Sequence, residues 1–283
     1  MYFKNILKFI IKSLPLSSRI RLMFLFKHKF FLSFSTPKLF SEKIQARKLS
    51  DITHYAMLSD KFAVRDYVKR TIGSEYLIPL LWSVDGDEFD SIPDLEVPAV
   101  IKTNHGSGLD HIEFLPSKKS NIEIVSKFKS ALCSSYAGEL YGEVQYSSYD
   151  RKVIIEQRLG NLSSVPHDFK FHVFTNDGSP RWFLQVDFGR YEDHHRNYYD
   201  SNLNLLDLQV LRPNGKYCLP AKKELDFMAE LAIKLCGEMS YARVDLYLVD
   251  GDVYFGEITL TPGSGFEKFS SRHFEIEWGS LWK

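Results

Sequence analysis

The chain has 283 residues, 44% of them hydrophobic and 25% charged, with 36 basic and 36 acidic side chains and a formal net charge of zero. That length can bury a sizeable core and form two lobes, and the balanced charge excludes a global attraction to nucleic acid. Cys133, Cys218 and Cys236 are odd in number and share no metal-type spacing, which fits a reduced, cytoplasmic compartment.

The charge is unevenly placed. Up to Ser50 the basic residues are Lys4, Lys8, Lys12, Arg19, Arg21, Lys27, Lys29, Lys38, Lys43, Arg47 and Lys48, against Glu42 alone. These cations interrupt each apolar run before it could span a bilayer, and no apolar block leads to a small-residue cleavage site. Two readings of this start stay open. It forms helices packed on the main body with snorkelling stems, or a basic surface resting on the anionic inner face of a membrane.

Ser59-Asp60 opens a helix over Lys61–Arg70, with Ala63, Val64, Tyr67 and Val68 as its apolar stripe and Gly73 as its stop. Strands are expected over Tyr76–Val84, Ala99–Thr103 and His111–Leu115, then a helix over Asn121–Cys133 and a polar loop to Asp150. Val153–Leu159 reads as an apolar strand running into a turn. Phe169–Thr175 and Arg181–Phe188 read as a hairpin around Asn176-Asp177-Gly178. His194-His195-Arg196-Asn197 reads as a polar loop rather than a metal site, because adjacent side chains diverge and no third ligand is close. Leu225, Met228, Ala229, Ala232, Leu235 and Cys236 recur at helical spacing before Gly237. Mixed elements with many hairpins predict an α+β fold with a largely antiparallel sheet.

The segment Arg243–Thr259 reads as another hairpin, with Val244, Leu246, Leu248, Gly256 and Ile258 on one face and Arg243, Asp245, Glu257 and Thr259 on the other. A three-residue turn at Asp250-Gly251-Asp252 sets Asp245 opposite Glu257, where two carboxylates so close would need a cation. A two-residue Asp-Gly turn would put them on opposite faces. Lys102 sits in an apolar strand just before Asn104-His105-Gly106-Ser107-Gly108, a small-residue loop able to offer N–H groups to phosphate. Glu156, in the apolar strand at 153–159, could accept from an adenine amine. Asp168, Lys170 and His172, and likewise Gln185 and Asp187, alternate with apolar neighbours, so they could floor a polar cleft or face water. Neither Ser107 nor Ser264 sits in a nucleophile elbow.

Taken in order, Asp60–Arg65, Ile101–Gly108, Ile155-Glu156, Asp168–Lys170, Gln185–Asp187, Arg196–Asp200, Arg243–Asp245, Phe255–Glu257 and Pro262–Phe266 resemble the TupA-like ATP-grasp proteins of cell-surface polysaccharide biosynthesis. The resemblance implies an ATP-grasp fold of two α+β lobes with ATP between them. The expected division is a basic helical segment over residues 1–55, an N-terminal lobe over 56–155 and a C-terminal lobe over 156–283.

It further implies that Lys102 contacts the α- and β-phosphates, that His105, Gly106, Ser107 and Gly108 close over the γ-phosphate, and that Glu156, Gln157 and Leu159 hold adenine. Asp245, Glu257 and Thr259 would hold Mg²⁺, Thr259 standing where the superfamily usually has Asn. Arg243 would steady the transferring phosphoryl group and, with Lys102, act catalytically. Asp168, Lys170, Gln185, Asp187, Arg196 and Ser264 would face the substrates. The implied reaction passes through an acyl phosphate and joins an amine or amino acid to a carboxylate-bearing sugar, with no nucleic acid involved. A sugar-nucleotide-dependent glycosyltransferase is the competing expectation, and Asp85-Gly86-Asp87 is the run that would suit it.

Overall fold

The computed structural model describes residues 13–50, 52–133, 138–147, 149–161, 165–175, 178–189 and 193–283. Lys4, Lys8 and Lys12 of the basic start, and Asn176 and Asp177 of the expected hairpin turn, lie outside the described residues. Two antiparallel sheets organise the chain, as an α+β fold requires.

The first sheet contains β1 (Leu80–Asp85), β2 (Ala99–Thr103), β3 (Ile112–Leu115) and β4 (Lys152–Gln157), in the order β1-β4-β2-β3. Alternation along its strands sorts the side chains between two faces. Ala99, Ile101, Val153 and Ile155 pack with Ile124, Phe128 and Leu132 of the helix Asn121–Cys133. Val100, Lys102, Ile154 and Glu156 therefore turn the other way.

The second sheet contains β5 (Asp168–Phe174), β6 (Arg181–Phe188), β7 (His195–Tyr199), β8 (Tyr241–Val249) and β9 (Asp252–Thr259), in the order β7-β6-β5-β8-β9. Phe169, Phe171, Val173, Leu184, Val186, Val244 and Leu246 pack against Leu225, Met228, Ala229, Ala232 and Leu235 of the helix Lys222–Cys236. The expected polar loop at 194–197 is instead the start of β7. Its pairing with β6 sets Arg196 opposite Asp187 and His195 opposite Phe188.

The opposite face of this sheet is roofed by both ends of the described chain. The helices Phe40–Arg47 and Arg272–Leu281 close over it, with Phe40, Tyr241, Phe269, Trp278 and Trp282 forming an aromatic cluster. The Trp278 ring stacks on Phe183 at 4.7 Å. Glu275 accepts from both the N–H and the hydroxyl of Ser41 at 3.0 Å, tying the two helices together. The basic start thus includes a helix packed on the body, while Arg21, Lys27, Lys29 and Lys38 remain exposed before it. Among the described residues no helix is long and apolar enough to cross a membrane.

The β8–β9 hairpin combines the two alternatives that its sequence left open. Val249 pairs with Asp252, so Asp250-Gly251 is a two-residue turn, with φ values of 54° and 89°. Positive φ at both central residues is the signature of the turn type favoured in hairpins. A register shift then follows: Leu246 pairs with Phe255, but Asp245 pairs with Glu257. Gly256 is the extra residue, a β-bulge that returns Glu257 to the face of Asp245. Phe255 joins Val253 and Ile258 in the core at the place expected for Gly256.

A Cβ at Gly256 would come within 3.0 Å of the Asp245 carbonyl and 3.1 Å of the Tyr247 ring. Gly256→Val is expected to lower unfolding free energy by about 1–3 kcal/mol through overpacking, measured as a shift in urea midpoint.

Candidate active site

The bulge at Gly256 brings Arg243, Asp245, Glu257 and Thr259 to one face. Arg243 donates from Nε to Asp245 at 2.7 Å, and from Nη2 to Asp245 at 2.9 Å, to Glu257 at 2.8 Å and to Thr259 at 3.0 Å. Lys170, from β5, donates to the other side of Asp245 and stands 3.5 Å from Asp168. Asp245 is almost fully buried, whereas the Glu257 side chain is 41% exposed. Arg243 is held well above its usual range by these two carboxylates, Asp245 first, against the opposing effect of burial.

For a metal the geometry is asymmetric. Two carboxylates and a hydroxyl converge, all hard oxygen donors of the kind Mg²⁺ takes. Glu257 and Thr259 line the neighbouring cleft, while Asp245 lies behind Arg243 with both oxygens accepting from cations. The set fits magnesium in donor chemistry, with Glu257 and Thr259 as its open members.

Lys102 and Glu156 come from neighbouring strands on the inward face of the first sheet. Lys102 donates to Glu156 at 2.8 Å, and Arg65 donates to the second Glu156 oxygen at 2.8 Å. Glu156 is therefore not presented to an adenine amine: both its oxygens are occupied, and it fixes Lys102 instead. Beside them runs a slot of about 90 Å³ lined by Val100, Ile112, Phe114, Leu159 and Tyr247, with Lys102 and Gln157 at its edge. An apolar slot between two sheets, ending in a lysine, suits a flat aromatic base followed by phosphate. The N–H groups of Gln157 and Arg158 already donate to Pro79 and Pro98 at 2.9 Å. Leu159 is the next residue along, at the slot wall.

The larger cleft has a volume of about 780 Å³, and Lys61, His105, Gly106, Ser107, Arg243, Glu257, Thr259 and Ser264 contribute to its lining. Gly108 lies on the exposed side of the same loop. Lys61 donates to the Gly106 carbonyl at 2.6 Å and so pins the glycine loop. Burial lowers the Lys61 ammonium, with Glu257 pulling the other way, which places this cation between the loop and the acidic hairpin. His105 is pushed down to about 4 by burial, then by Arg151, His111 and Lys61, so its ring is neutral at physiological pH.

The expected substrate-facing residues divide. Ser264 lines the cleft, but Asp168, Lys170, Gln185 and Asp187 are buried within the second sheet. They form a relay of polar contacts rather than a cleft floor. His172 meets Gln185 at 3.0 Å, Gln185 donates to Asp187 at 2.7 Å, and Arg196 donates to Asp187 at 2.8 Å. Arg196 also reaches Glu267, which does line the cleft, at 3.5 Å. Asp85, of the run that a glycosyltransferase would use, is the last residue of β1 and pairs with Lys152 of β4, and Gly86 and Asp87 form the turn after it.

Several cleft residues had no signal in the sequence. Glu143 and Thr261 face it from separate loops, and Lys48 supports it from the end of the 40–47 helix by donating to Ser264. Lys61 and Arg65 fall within the first recognised motif, and their spacing of four is the trace that could have assigned them to one site.

A family model described as TupA-like ATPgrasp matches residues 42–283. No curated protein sequence matches the chain. Among solved structures, it is similar to D-alanine-D-alanine ligase from Helicobacter pylori, at 14% identity over 80% of this chain and 61% of that chain, with a TM-score of 0.48. N5-carboxyaminoimidazole synthetase from Staphylococcus aureus aligns at 15% identity over 72% of this chain and 44% of that one, with a TM-score of 0.42. VanG D-Ala:D-Ser ligase from Enterococcus faecalis aligns at 15% identity over 82% and 62%, with a TM-score of 0.43. The chain spans less than two thirds of each of these proteins.

The buried relay makes a pH signature. His172 is pushed down to about 3 by burial, with Arg243, Arg196 and Lys170 acting in the same direction. An unfolded histidine takes up its proton near pH ~6.5, so below that the unfolded chain binds a proton that the folded chain refuses. This contribution is fully present above about pH 6.5 and is lost as pH falls toward about 3, at roughly 1.4 kcal/mol per pH unit. His172→Asn should flatten the decline of urea stability between about pH 6.5 and 4.

Proposed function

Because the chain belongs to the TupA-like ATP-grasp family, we propose that it is an ATP- and Mg²⁺-dependent carboxylate–amine ligase. On this reading it attaches an amine or amino acid to a uronic acid during assembly of a cell-surface polysaccharide such as a capsule. The observation that carries the proposal is the convergence of Arg243, Glu257 and Thr259 on the cleft that also holds the glycine loop and Lys61.

The base of ATP would enter the slot between Val100, Phe114 and Tyr247, with Gln157 and Leu159 at its edge. Lys102, fixed by Glu156, would meet the α- and β-phosphates. Glu257 and Thr259, with Asp245 behind them, would hold magnesium, which supplies charge neutralisation for the triphosphate. Arg243 is already oriented by Asp245 and contributes a fixed positive charge where phosphoryl oxygens gather. The 105–108 loop, pinned by Lys61, would keep water from the activated carboxyl group. His105, Gly106 and Ser107 are the loop residues on the cleft wall. The buried residues Asp168, Lys170, Gln185 and Asp187 act by setting Asp245 and Arg196 rather than by meeting substrate.

Peripheral contact with the cytoplasmic face of the membrane belongs to the same proposal. Arg21, Lys27, Lys29 and Lys38 are exposed in the same stretch of chain as the exposed rings of Phe26 and Phe31, with Phe26 and Lys27 also contributing to the cleft lining. Basic side chains at an anionic surface contribute about 1 kcal/mol each, and exposed aromatics add burial in the headgroup region. Lys27→Glu with Lys29→Glu should therefore reduce co-sedimentation with anionic vesicles at least about tenfold, with no effect on neutral ones.

The ligase reading is tested by ADP release over a panel of uronic acids and amines. Glu257→Gln and Lys102→Met should each lower it by at least about 100-fold while circular dichroism is unchanged. Full activity in both variants would refute the site. Glu156→Gln should chiefly raise KM for ATP, because Lys102 loses its anchor.

A further inference from the structure

Three carboxylates line the large cleft: Glu143, Glu257 and Glu267. Arginine answers two of them. Arg243 donates to Glu257 at 2.8 Å, and Arg196 stands 3.5 Å from Glu267. Glu143 has no ion-pair partner among the described residues, although it is 94% buried as judged by its 6% exposure. It accepts from the Thr261 hydroxyl at 2.5 Å. The Ser264 hydroxyl also bonds to it, and Lys48 acts on it through that hydroxyl without a direct ion pair. A buried carboxylate in this state still gains from a cation that meets it directly.

Lys48, the lysine that acts on Glu143, has its N–H groups committed elsewhere. Lys48 donates to the Ser264 carbonyl at 2.6 Å, the Ser264 hydroxyl at 2.7 Å and Gln45 at 3.1 Å. An ammonium has three N–H groups, and all three are used. Burial lowers the Lys48 ammonium, with Glu143 pulling the other way.

The walls around Glu143 are aromatic. Tyr141 and Phe266 line the cleft with ring centroids 5.6 Å apart, and Tyr146 lines it beside them. Phe266 already carries the Lys48 ammonium at 4.6 Å, which leaves Tyr141 and Tyr146 as the rings that can add to the direct attraction of a carboxylate for an organic ammonium. The cleft also continues to Arg243 and Glu257, the groups assigned to phosphoryl transfer.

We propose that Glu143, in the cleft that Tyr141 and Tyr146 also line, is the subsite for the primary ammonium group of the acceptor, and that it removes the proton that frees the nitrogen to attack. The inference rests on the ligase reading and names the half of the site that reading leaves open. Glu143 takes one proton from R–NH₃⁺, leaving a lone pair on nitrogen. That pair forms the C–N bond to the acyl phosphate carbonyl carbon, and the C–O bond to phosphate breaks with its electrons on the phosphate. A second proton passes from nitrogen to the departing phosphate, and the amide keeps the third. Burial raises Glu143 above the usual carboxylate range, the direction that suits a proton acceptor.

Two measurements test this on the full chain. Ethylammonium chloride, compared with sodium chloride at equal ionic strength, should raise the melting temperature of the wild type and leave Glu143→Gln unshifted. Equal shifts in both proteins overturn the subsite. Turnover then compares an equimolar amino-acid mixture with hydroxylamine, which is largely uncharged at neutral pH and needs no carboxylate to receive it. With the uronic acid panel and ATP, the ratio of amino-acid-supported to hydroxylamine-supported ADP release should fall about 100-fold in Glu143→Gln and recover in part in Glu143→Asp. An unchanged ratio overturns the proton-acceptor role. Wild-type protein releasing no ADP even with hydroxylamine would instead overturn the ligase reading itself.

Discussion

Two carboxylates on facing strands cannot approach as Asp245 and Glu257 do without a positive charge between them. At about 5 Å and an effective dielectric constant near 20, their repulsion is about 3 kcal/mol, comparable with a large fraction of a domain's net stability. Arg243 meets that constraint with a planar fork, donating twice to Asp245 while one of its nitrogens also reaches Glu257 and Thr259. Lys170 answers the remaining demand from the neighbouring strand. The orientation of every group assigned to phosphoryl transfer on this lobe follows from that charge balance.

Such an arrangement requires dryness behind it. The sheet face carrying Lys170, His172, Gln185 and Asp187 would hydrate readily if left open, and each charge would lose most of its grip in water. The roof of Phe40, Phe269, Trp278 and Trp282 removes the solvent, and hydrogen bonds satisfy what it covers. His172 shows the result, with Tyr241 on one ring nitrogen and Gln185 on the other. Rigidity at the cleft wall is thereby imposed from beneath, through Arg196 to Glu267 and through Lys170 to Asp245.

Much of this was legible along the chain because period-two alternation survives in most of the paired strands. Val100 and Lys102 against Ala99 and Ile101 is enough to predict which face turns to the slot and which to the core. Three things were not legible. The 194–197 segment looks like a loop because its polar residues pair with a strand edge that only the fold supplies. The hairpin register hinges on a bulge at Gly256, and one glycine among alternating residues does not announce which strand absorbs the extra position. The polar faces of β5 and β6 look solvated because their cover comes from helices more than eighty residues away in both directions. Glu143 and Lys48 belong to this third class, since nothing local relates a loop glutamate to a helix-end lysine.

The roof has a consequence for how the protein comes into being. Its helices are drawn from residues 40–47 and 272–281, so every strand of the second sheet has been made before the second of them emerges. Until Trp278 is translated, the ionic relay of the second sheet stays wet and its arginines stay loose. A half-made chain could bury the 222–236 helix and look largely structured while remaining chemically inert.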